Sequence, residues 1–492
     1  MAKYSPFSFF SCMLKKIIIM WEMYVLPEMK CLYKKMGLFT LAFLFCLQAI
    51  TFAAPANLSA MRSSVSADKV RIVFDVDSIP AYNVTTANDG QQIVLDLPGL
   101  SDARKIKTLA LRDDLVKNVA VSNGPKGLHI VIDLDHAADY VVKQLKNPNR
   151  LFIDISKASE SKTTAEMAPG MVETTYVRRD GRGMLTAYLL DVDTSKYTLR
   201  PAIANGVIAG RGTVSSMSDQ NNALAAVNAS YFALDGELLG VTKLDGKIVS
   251  TIDIPRTAVG FLSDGSPVIG TINYNGTIKT KKTVVPIAGV NCERSENSAV
   301  VYNEYYDDTT GTNEYGKEYV VKDNKVIAIN TANSPLAKGT VVVSVHGTAA
   351  DALADVKVGD SMQITEDVGD PWNKATQIMG VGPRLVAAGQ VNVTADQEQF
   401  GGDVAGGRAP RTGVGILPNK HVLLAVVDGR QEQSIGCTLT EFAQLLKNFG
   451  VVDAVNFDGG GSSELVVGGK VLNSPSDGSE RSVGSALVVC SK

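Results

Sequence analysis

The run Ala454-Val-Asn-Phe-Asp458-Gly-Gly-Gly-Ser-Ser463 carries an apolar, strand-like segment straight into three consecutive glycines and two hydroxyls. Such a run fits a sharp bend, where the backbone needs positive φ or an approach that a Cβ would block. It therefore predicts a bend at the carboxyl end of a strand, with Asp458 at its lip. Upstream lie Arg408-Ala-Pro-Arg411-Thr-Gly-Val-Gly415 and Val427-Asp428-Gly-Arg430, which concentrate guanidinium groups and carboxylates in one stretch. Bare backbone can present N–H groups to an anion, and arginine clamps phosphate or carboxylate oxygens bidentately. An anionic, phosphorylated substrate is the expectation. The alternative for each piece alone is an ordinary turn, Gly459–Ser462 as a hairpin and Asp428-Gly429 as a turn signal. Turns, however, do not need three arginines.

A chain of 492 residues is too long for one ordinary core, so two or three domains are expected. Net charge is −3 with 45% hydrophobic and 20% charged residues, which describes a globular chain and gives no basic block for nucleic acid. The 44 glycines favour β-rich architecture with many tight turns. Cys292, Cys437 and Cys490 are too far apart for a metal spacing and read as buried thiols, with one bridge as the alternative. His129, His136, His346 and His421 lie outside the Gly/Arg/Asp cluster, which argues against a Ser-His-Asp triad or a histidine zinc site.

Residues 1–54 read as a leader. Lys34-Lys35 precede the apolar run from Gly37, and Ala53-Ala54-Pro55 offers a cleavage point. Met36 is the more natural start, and an uncleaved membrane anchor is the alternative to removal. Secretion to the cell envelope follows, periplasmic or wall-associated.

From 56 to 157, short alternating runs recur: Val70-Arg-Ile-Val-Phe-Asp-Val, Gln92-Ile-Val-Leu-Asp-Leu, Leu128-His-Ile-Val-Ile-Asp-Leu and Arg150-Leu-Phe-Ile-Asp-Ile. Period-two patterning with turn signals between predicts a small β-sandwich. This block resembles an AMIN domain, a bacterial envelope module, and the resemblance implies binding to the cell wall. Residues 158–170 are small and polar and read as a linker. From 171 to 492 strands mix with a few helices, so the fold class is α+β: a small β-sandwich plus a larger β-rich domain. Thr438 with Glu441 forms a capping box, Leu439, Phe442, Leu445, Leu446 and Phe449 mark an apolar face, and Gly450 ends the helix. A second helix is expected over 217–226, and 284–378 reads as an inserted β subdomain or plain sheet.

The ordered set Asn228-Ala-Ser-Tyr-Phe232, Arg256-Thr-Ala-Val-Gly260, Gly380-Val-Gly-Pro-Arg-Leu385, Arg408-Ala-Pro-Arg-Thr412, Asp428-Gly-Arg430 and Asn456-Phe-Asp-Gly-Gly-Gly-Ser-Ser463 resembles the phosphodiester glycosidase family. Members of that family include an enzyme that removes N-acetylglucosamine from a sugar-phosphate diester. The resemblance spans nearly all of 171–490, finishing with Glu480-Arg-Ser-Val-Gly484, and implies hydrolysis of sugar-1-phosphodiesters. The residues suit that chemistry. A phosphate monoester leaves with little protonation, so the enzyme must hold phosphate and place a carboxylate at C1. Arg256, Arg408, Arg411 and Arg430, with the N–H groups of Gly459, Gly460 and Gly461, are candidates for the first task. Asp458 and Asp428 are candidates for the second. Asn228, Ser462 and Ser463 are candidates for sugar hydroxyls or phosphate oxygens. Gly380-Val-Gly-Pro reads as a turn.

A glycan or sugar-phosphate is thus the expected partner, the wall is reached through the N-terminal domain, and a membrane only if the leader stays. No cofactor is required by this reading. A non-catalytic glycan-binding envelope protein is one alternative. A metal-dependent phosphodiesterase, with Asp428 and Asp458 holding Ca²⁺ or Mg²⁺, is another.

Overall fold

The computed structural model describes residues 56–492, apart from 103, 104, 107, 110, 112, 181 and 253. The leader reading falls outside those residues. Among the described residues no helix is long and apolar enough to cross a membrane. Two compact units divide the chain near residue 154.

The N-terminal unit is built from two sheets, one of five strands and one of four. Leu58, Ile72, Phe74, Ile93, Leu95, Leu97, Ile130, Ile132 and Ile153 point inward and are buried. The recurring aspartates fall on the opposite side of the pleat, because side chains alternate along a strand. Each meets a partner on a neighbouring strand: Asp75 with Arg62 at 2.7 Å, Asp154 with Lys69 at 3.3 Å, Asp96 with His129 at 2.7 Å. Asp133 accepts from Gln92 at 2.8 Å. The hydrophobic–Asp–hydrophobic repeat is thus the sandwich's alternation of core and solvent face.

The residues expected as a linker form a strand instead. β1 (Ser159–Ala168) pairs antiparallel with β2 (Met171–Asp180), which pairs with β3 (Gly183–Val192). β1 is a sheet edge exposed along nearly all its length, so it has no apolar period for a sequence pattern to reveal. After β3 and a further strand, Tyr197–Ile203, comes α1 (Val214–Gln220), capped by Thr213, whose hydroxyl accepts from the Ser216 N–H at 3.1 Å. This helix starts and stops earlier than the expected 217–226, because Asn222 takes φ +49° and turns the chain into β4 (Ala225–Asn228). Next come β5 (Arg256–Leu262) and β6 (Ala375–Gly380), which pair with each other.

Between β5 and β6 lies the inserted β subdomain. A five-stranded sheet over residues 289–346 is accompanied by a three-stranded one made of 275–279, 284–287 and 363–367. Val301, Tyr319 and Val343 belong to one core with Ile278 and Ile364. Tyr302 and Tyr306 pack edge to face at 4.9 Å, and Tyr302 donates to the Cys292 carbonyl at 2.6 Å. Their work is structural. Among the described residues, Cys292, Cys437 and Cys490 form no disulfide.

The central sheet continues through β7 (Arg411–Ile416), β8 (Val422–Val427) and β9 (Asp453–Asn456), with β8 beside β3 and β7 between β8 and β9. α2 (Leu439–Asn448) lies on this sheet, held by the expected capping box and ended by Gly450 at φ +85°. The glycines of β7 serve that packing. A Cβ at Gly413 would come 2.8 Å from the Phe442 ring, and one at Gly415 2.6 Å from a Val451 methyl. β10 (Leu465–Val467) and β11 (Ser485–Ser491) pair with β4 in a second sheet that packs on the first through Val227, Phe457, Val414 and Leu487.

Phe442 is fully buried between α2 and β7. Phe442→Ala should therefore lower the unfolding free energy by about 3–5 kcal/mol, read as a fall in the urea midpoint at unchanged slope.

Candidate active site

The carboxyl end of β9 carries the chain into the glycine bend, and the structure seats that bend on two neighbouring segments. The Asp458 N–H bonds to the Ala229 carbonyl at 2.9 Å, just past β4. The Gly460 N–H bonds to the Pro410 carbonyl at 2.9 Å, just before β7. A Cβ at Gly459 would meet that same carbonyl at 2.9 Å, which explains glycine there. Gly460 takes φ +62°, the left-handed region open to glycine at little cost. Residues 460–462 then close a single 3₁₀ turn.

These bonds alter the expected role of the backbone. The Gly459 N–H is held by Asp458 Oδ1 at 2.9 Å and the Gly460 N–H by Pro410, so only Gly461 of the three glycines keeps an unspent N–H among the described residues. The Ser462 and Ser463 N–H groups close the turn onto Gly459 and Gly460. The bend is a self-bonded platform with one donor left over, not a three-donor nest.

Asp458 is half-buried at the lip. Burial pushes its carboxyl up to about 6, against the hydrogen bonds from Ser462 and the Gly459 N–H and the charge of Arg481, with Asp403 pushing the same way as burial. Asp403 lies in a short helical turn, Gly402–Ala405, and is exposed. It is therefore a second carboxylate within electrostatic reach of Asp458. Its setting, Gly401-Gly-Asp-Val-Ala-Gly-Gly407, looks like plain loop, so nothing in the chain singled it out.

Asp428 behaves differently. It is buried at the end of β8, and its oxygens accept from Asn473 Nδ2 at 3.1 Å and from the Ser474 N–H at 3.0 and 3.1 Å. Burial pushes it, too, up to about 6. Asn473 also donates to the Ser463 carbonyl at 3.0 Å, so Asp428 steadies the far end of the bend through a shared asparagine. Its carboxyl is thus buried and engaged by the Asn473–Ser474 loop. Among the described residues, no group of three or more His, Cys, Asp or Glu stands in a metal-binding arrangement.

The arginines divide. Arg411 is buried, and its Nε, Nη1 and Nη2 donate to the carbonyls of Cys437, Val404 and Gly407 at 3.1, 2.8 and 3.1 Å. Arg408 donates to the Gly436 carbonyl at 2.8 Å and pairs with Glu441, the capping-box glutamate. Arg411 turns all three nitrogens onto backbone carbonyls, which corrects the expectation that it clamps phosphate, whereas Arg408 spends Nη1 and Nη2 on structure and stays partly exposed. Arg430 is exposed, sits at φ +61°, and lays its guanidinium against Gly460, where a Cβ would come within 3.3 Å of Nη2. No carboxylate pairs with it among the described residues. Arg256 stacks on the Phe400 ring at 4.2 Å, and its buried Nε has no acceptor. Phe400 in turn meets Tyr231 at 5.3 Å.

Tyr231 gathers these parts. Its hydroxyl donates to the Gly382 carbonyl at 3.0 Å and accepts from Asn456 Nδ2 at 2.9 Å. Burial raises its phenol above the ordinary value, with the charges of Asp458, Arg411 and Arg256 all acting on it. Positions 256, 411 and 458 are thus brought together around one tyrosine. Glu398 adds a tie that no motif announced: it accepts from the Thr257 N–H at 2.7 Å and the Arg384 N–H at 3.0 Å. Gly382, at φ +101°, must be glycine because a Cβ would meet Glu398 at 2.4 Å.

Asn228, proposed for sugar hydroxyls, is fully buried and faces the protein. It donates to the Asp458 carbonyl at 2.7 Å and accepts from the Thr412 hydroxyl at 2.8 Å and the Glu464 N–H at 3.0 Å. Ser462 faces Asp458 and Arg481, and Ser463 Oγ is buried without a partner.

Residues 295–490 match the family model described as phosphodiester glycosidase, and residues 61–144 and 118–179 match that of the AMIN domain. Residues 295–490 are thus similar to phosphodiester glycosidases, and the stretch before them is similar to AMIN domains. The family match begins at 295, short of the span expected from 171. Strands β4 and β5 lie before it, yet they pair into the same sheets. Among curated proteins, the chain is 32% identical over 121 residues to mouse N-acetylglucosamine-1-phosphodiester alpha-N-acetylglucosaminidase, 23% of each chain. It is 38% identical over 80 residues to the prophage-derived protein YomE of Bacillus subtilis, 16% of this chain and 12% of that one. The chain spans less than a quarter of the length of these relatives. Among solved structures, a protein of Synechocystis superposes with TM-score 0.61 at 20% identity, over 89% of this chain and 81% of its own. A protein of Burkholderia pseudomallei superposes with TM-score 0.53 at 19% identity, over 88% and 96%. These two likenesses show a shared fold.

If Arg411 is a structural tie, Arg411→Lys should leave at least two of its carbonyls unpaired, lower stability by about 2 kcal/mol or more, and make the 401–407 loop a preferred protease site. Limited proteolysis with a thermal melt checks both.

Proposed function

We propose that the chain hydrolyses sugar-1-phosphodiesters at the anomeric carbon, releasing a sugar such as N-acetylglucosamine, and that it acts on cell-envelope or exopolysaccharide material. The observation that carries this reading is the placement of Asp458. A carboxylate raised by burial stands at the lip of a glycine bend, with the unpaired guanidinium of Arg430 lying on that bend. The family match and the name of the mouse relative support the same reaction. The AMIN domain supports an envelope location, and the cell wall as the partner of the N-terminal unit.

In this reading Arg430, the Gly461 N–H and the open side of Arg256 receive the phosphate. The bond from C1 to the phosphate oxygen breaks, and its electron pair leaves with the phosphate monoester. Oxygen from water bonds to C1, either directly, with Asp458 taking the proton, or after Asp458 has itself bonded to C1. Asp403, whose charge acts on Asp458, is the candidate for the second carboxylate. A panel of sugar-1-phosphodiesters in ¹⁸O water tests this. Label in the sugar supports it, and label in the phosphate indicates P–O cleavage instead. A chelator should leave the rate unchanged, and a loss on chelation favours the metal-dependent phosphodiesterase.

Asp458→Asn should lower kcat by about 10²–10⁴-fold while substrate still binds; a glycan-binding protein without turnover would show no such kinetic loss. Because the ionised carboxylate is the working form and its value is about 6, kcat/KM should fall as pH drops below that value. The sign for stability is opposite. A carboxyl raised on folding favours the folded state below its ordinary value, and that contribution is lost as pH rises through about 6.

Arg430 is exposed. Arg430→Ala should raise KM about tenfold or more, the worth of a lost charge-assisted contact, with the melting temperature nearly unchanged.

A further inference from the structure

Just past the glycine bend, Glu464 begins the run into β10. It is 2% exposed, and its Oε1 has no partner. Glu480 is the group that acts on its carboxyl, and two carboxyls attract each other only when a proton is shared between them. Glu480 is anchored independently by the Ser215 hydroxyl at 2.8 Å and the Ser215 N–H at 3.3 Å, with Thr213 also bonding to it. The next residue, Arg481, lies directly on the bend. A Cβ at Gly461 would fall 2.0 Å from its Nη2, its Nη1 reaches Ser462 Oγ at 3.5 Å, and Asp477 holds Nε and Nη2 at 2.8 and 2.6 Å. Ser462 bonds to Asp458, and the charge of Arg481 acts on Asp458.

From these contacts we infer that Glu464 is a positioning residue for the active site: protonated, it clasps Glu480 and so keeps Arg481 on the glycine bend beside Ser462 and Asp458. The inference rests on the reading of Asp458 as the working carboxylate. The surroundings of Glu464 leave the proton as the variable. β4 contributes Asn228, which bonds to the Glu464 N–H, and the start of α1 contributes Thr213 and Ser215, which bond to Glu480. Among the described residues the charge acting on Glu464 is that of Glu480, with Arg481 and Asp477 beyond it. Burial, then the Glu480 contact, push Glu464 up to about 9, while the bonds from Glu464 and Ser215 outweigh burial and hold Glu480 below the usual range. Loss of the shared proton leaves two carboxylates facing each other in a buried space. That repulsion then works against the hold of Asp477 and Ser462 on Arg481.

The test compares wild type with Glu464→Gln, whose amide donates to Glu480 at every pH. In wild type, kcat/KM should fall as pH rises through about 9, and the fall should move up by at least about one pH unit in the variant. Melting temperature should decline between about pH 7 and 9 in wild type and flatten in the variant, since a raised carboxyl loses its stabilising share as pH rises through its folded value. Infrared spectra of the wild type near pH 8 should show a protonated carboxyl band that fades by about pH 10, whether or not the variant folds. An unchanged alkaline limb in Glu464→Gln, or no such band in wild type, overturns the inference. The melts and the infrared band need no substrate. If they behave as expected while no phosphodiester is cleaved, it is the catalytic reading that has failed, and the positioning role falls with it while the proton-sharing pair stands.

Discussion

One side chain, Asn228, holds both ends of the glycine bend. Its fully buried amide donates to the carbonyl of Asp458 and accepts from the N–H of Glu464 and the hydroxyl of Thr412. A buried amide left without such partners costs about 1–3 kcal/mol per group, so the arrangement is strongly preferred over any in which the bend shifts. The catalytic carboxylate proposed here is therefore placed by a residue from another sheet, at the end of β4. Without that tie, three glycines would sample many conformations.

Around this tie the charges separate into two groups. Arg411, Arg408 and Asp428 are consumed by the fold: they saturate carbonyls, a helix cap and an Asn–Ser loop. Asp458 at the lip, Arg430 lying on the bend and the unpartnered Nε of Arg256 are left over. Buried charges have to be paired or hydrogen-bonded, whereas those at a lip can wait for a ligand. The stacked Arg256, Phe400 and Tyr231 form the wall that brings β5 and the 398–400 loop up to the same place.

Much of this was legible in the chain. Alternation in Val70–Val76 and Leu128–Leu134 announces a sandwich because period two is imposed by the pleat itself. Thr438, Glu441 and Gly450 mark a helix because capping is local chemistry. The 158–170 segment was not legible: an exposed edge strand needs no apolar face, and its hydrogen bonds come from a partner, β2. The same holds for the arginines. Arg408 and Arg430 look alike in sequence, and only the carbonyls and carboxylates folded against one of them distinguish structural tie from free cation.

By itself the sequence determined the sandwich, the capped helix, the sharp bend after β9 and Asp458 at its lip, since each depends on neighbours within a few residues. Tertiary structure decided which groups remain available for chemistry. The Gly460 donor spent on Pro410, the bonds of Asn228 and Asp428, and the charge of Asp403 on Asp458 all join segments well apart in the chain. Hydrogen bonding is saturable, so what a residue can still do follows from what the fold has already made it do.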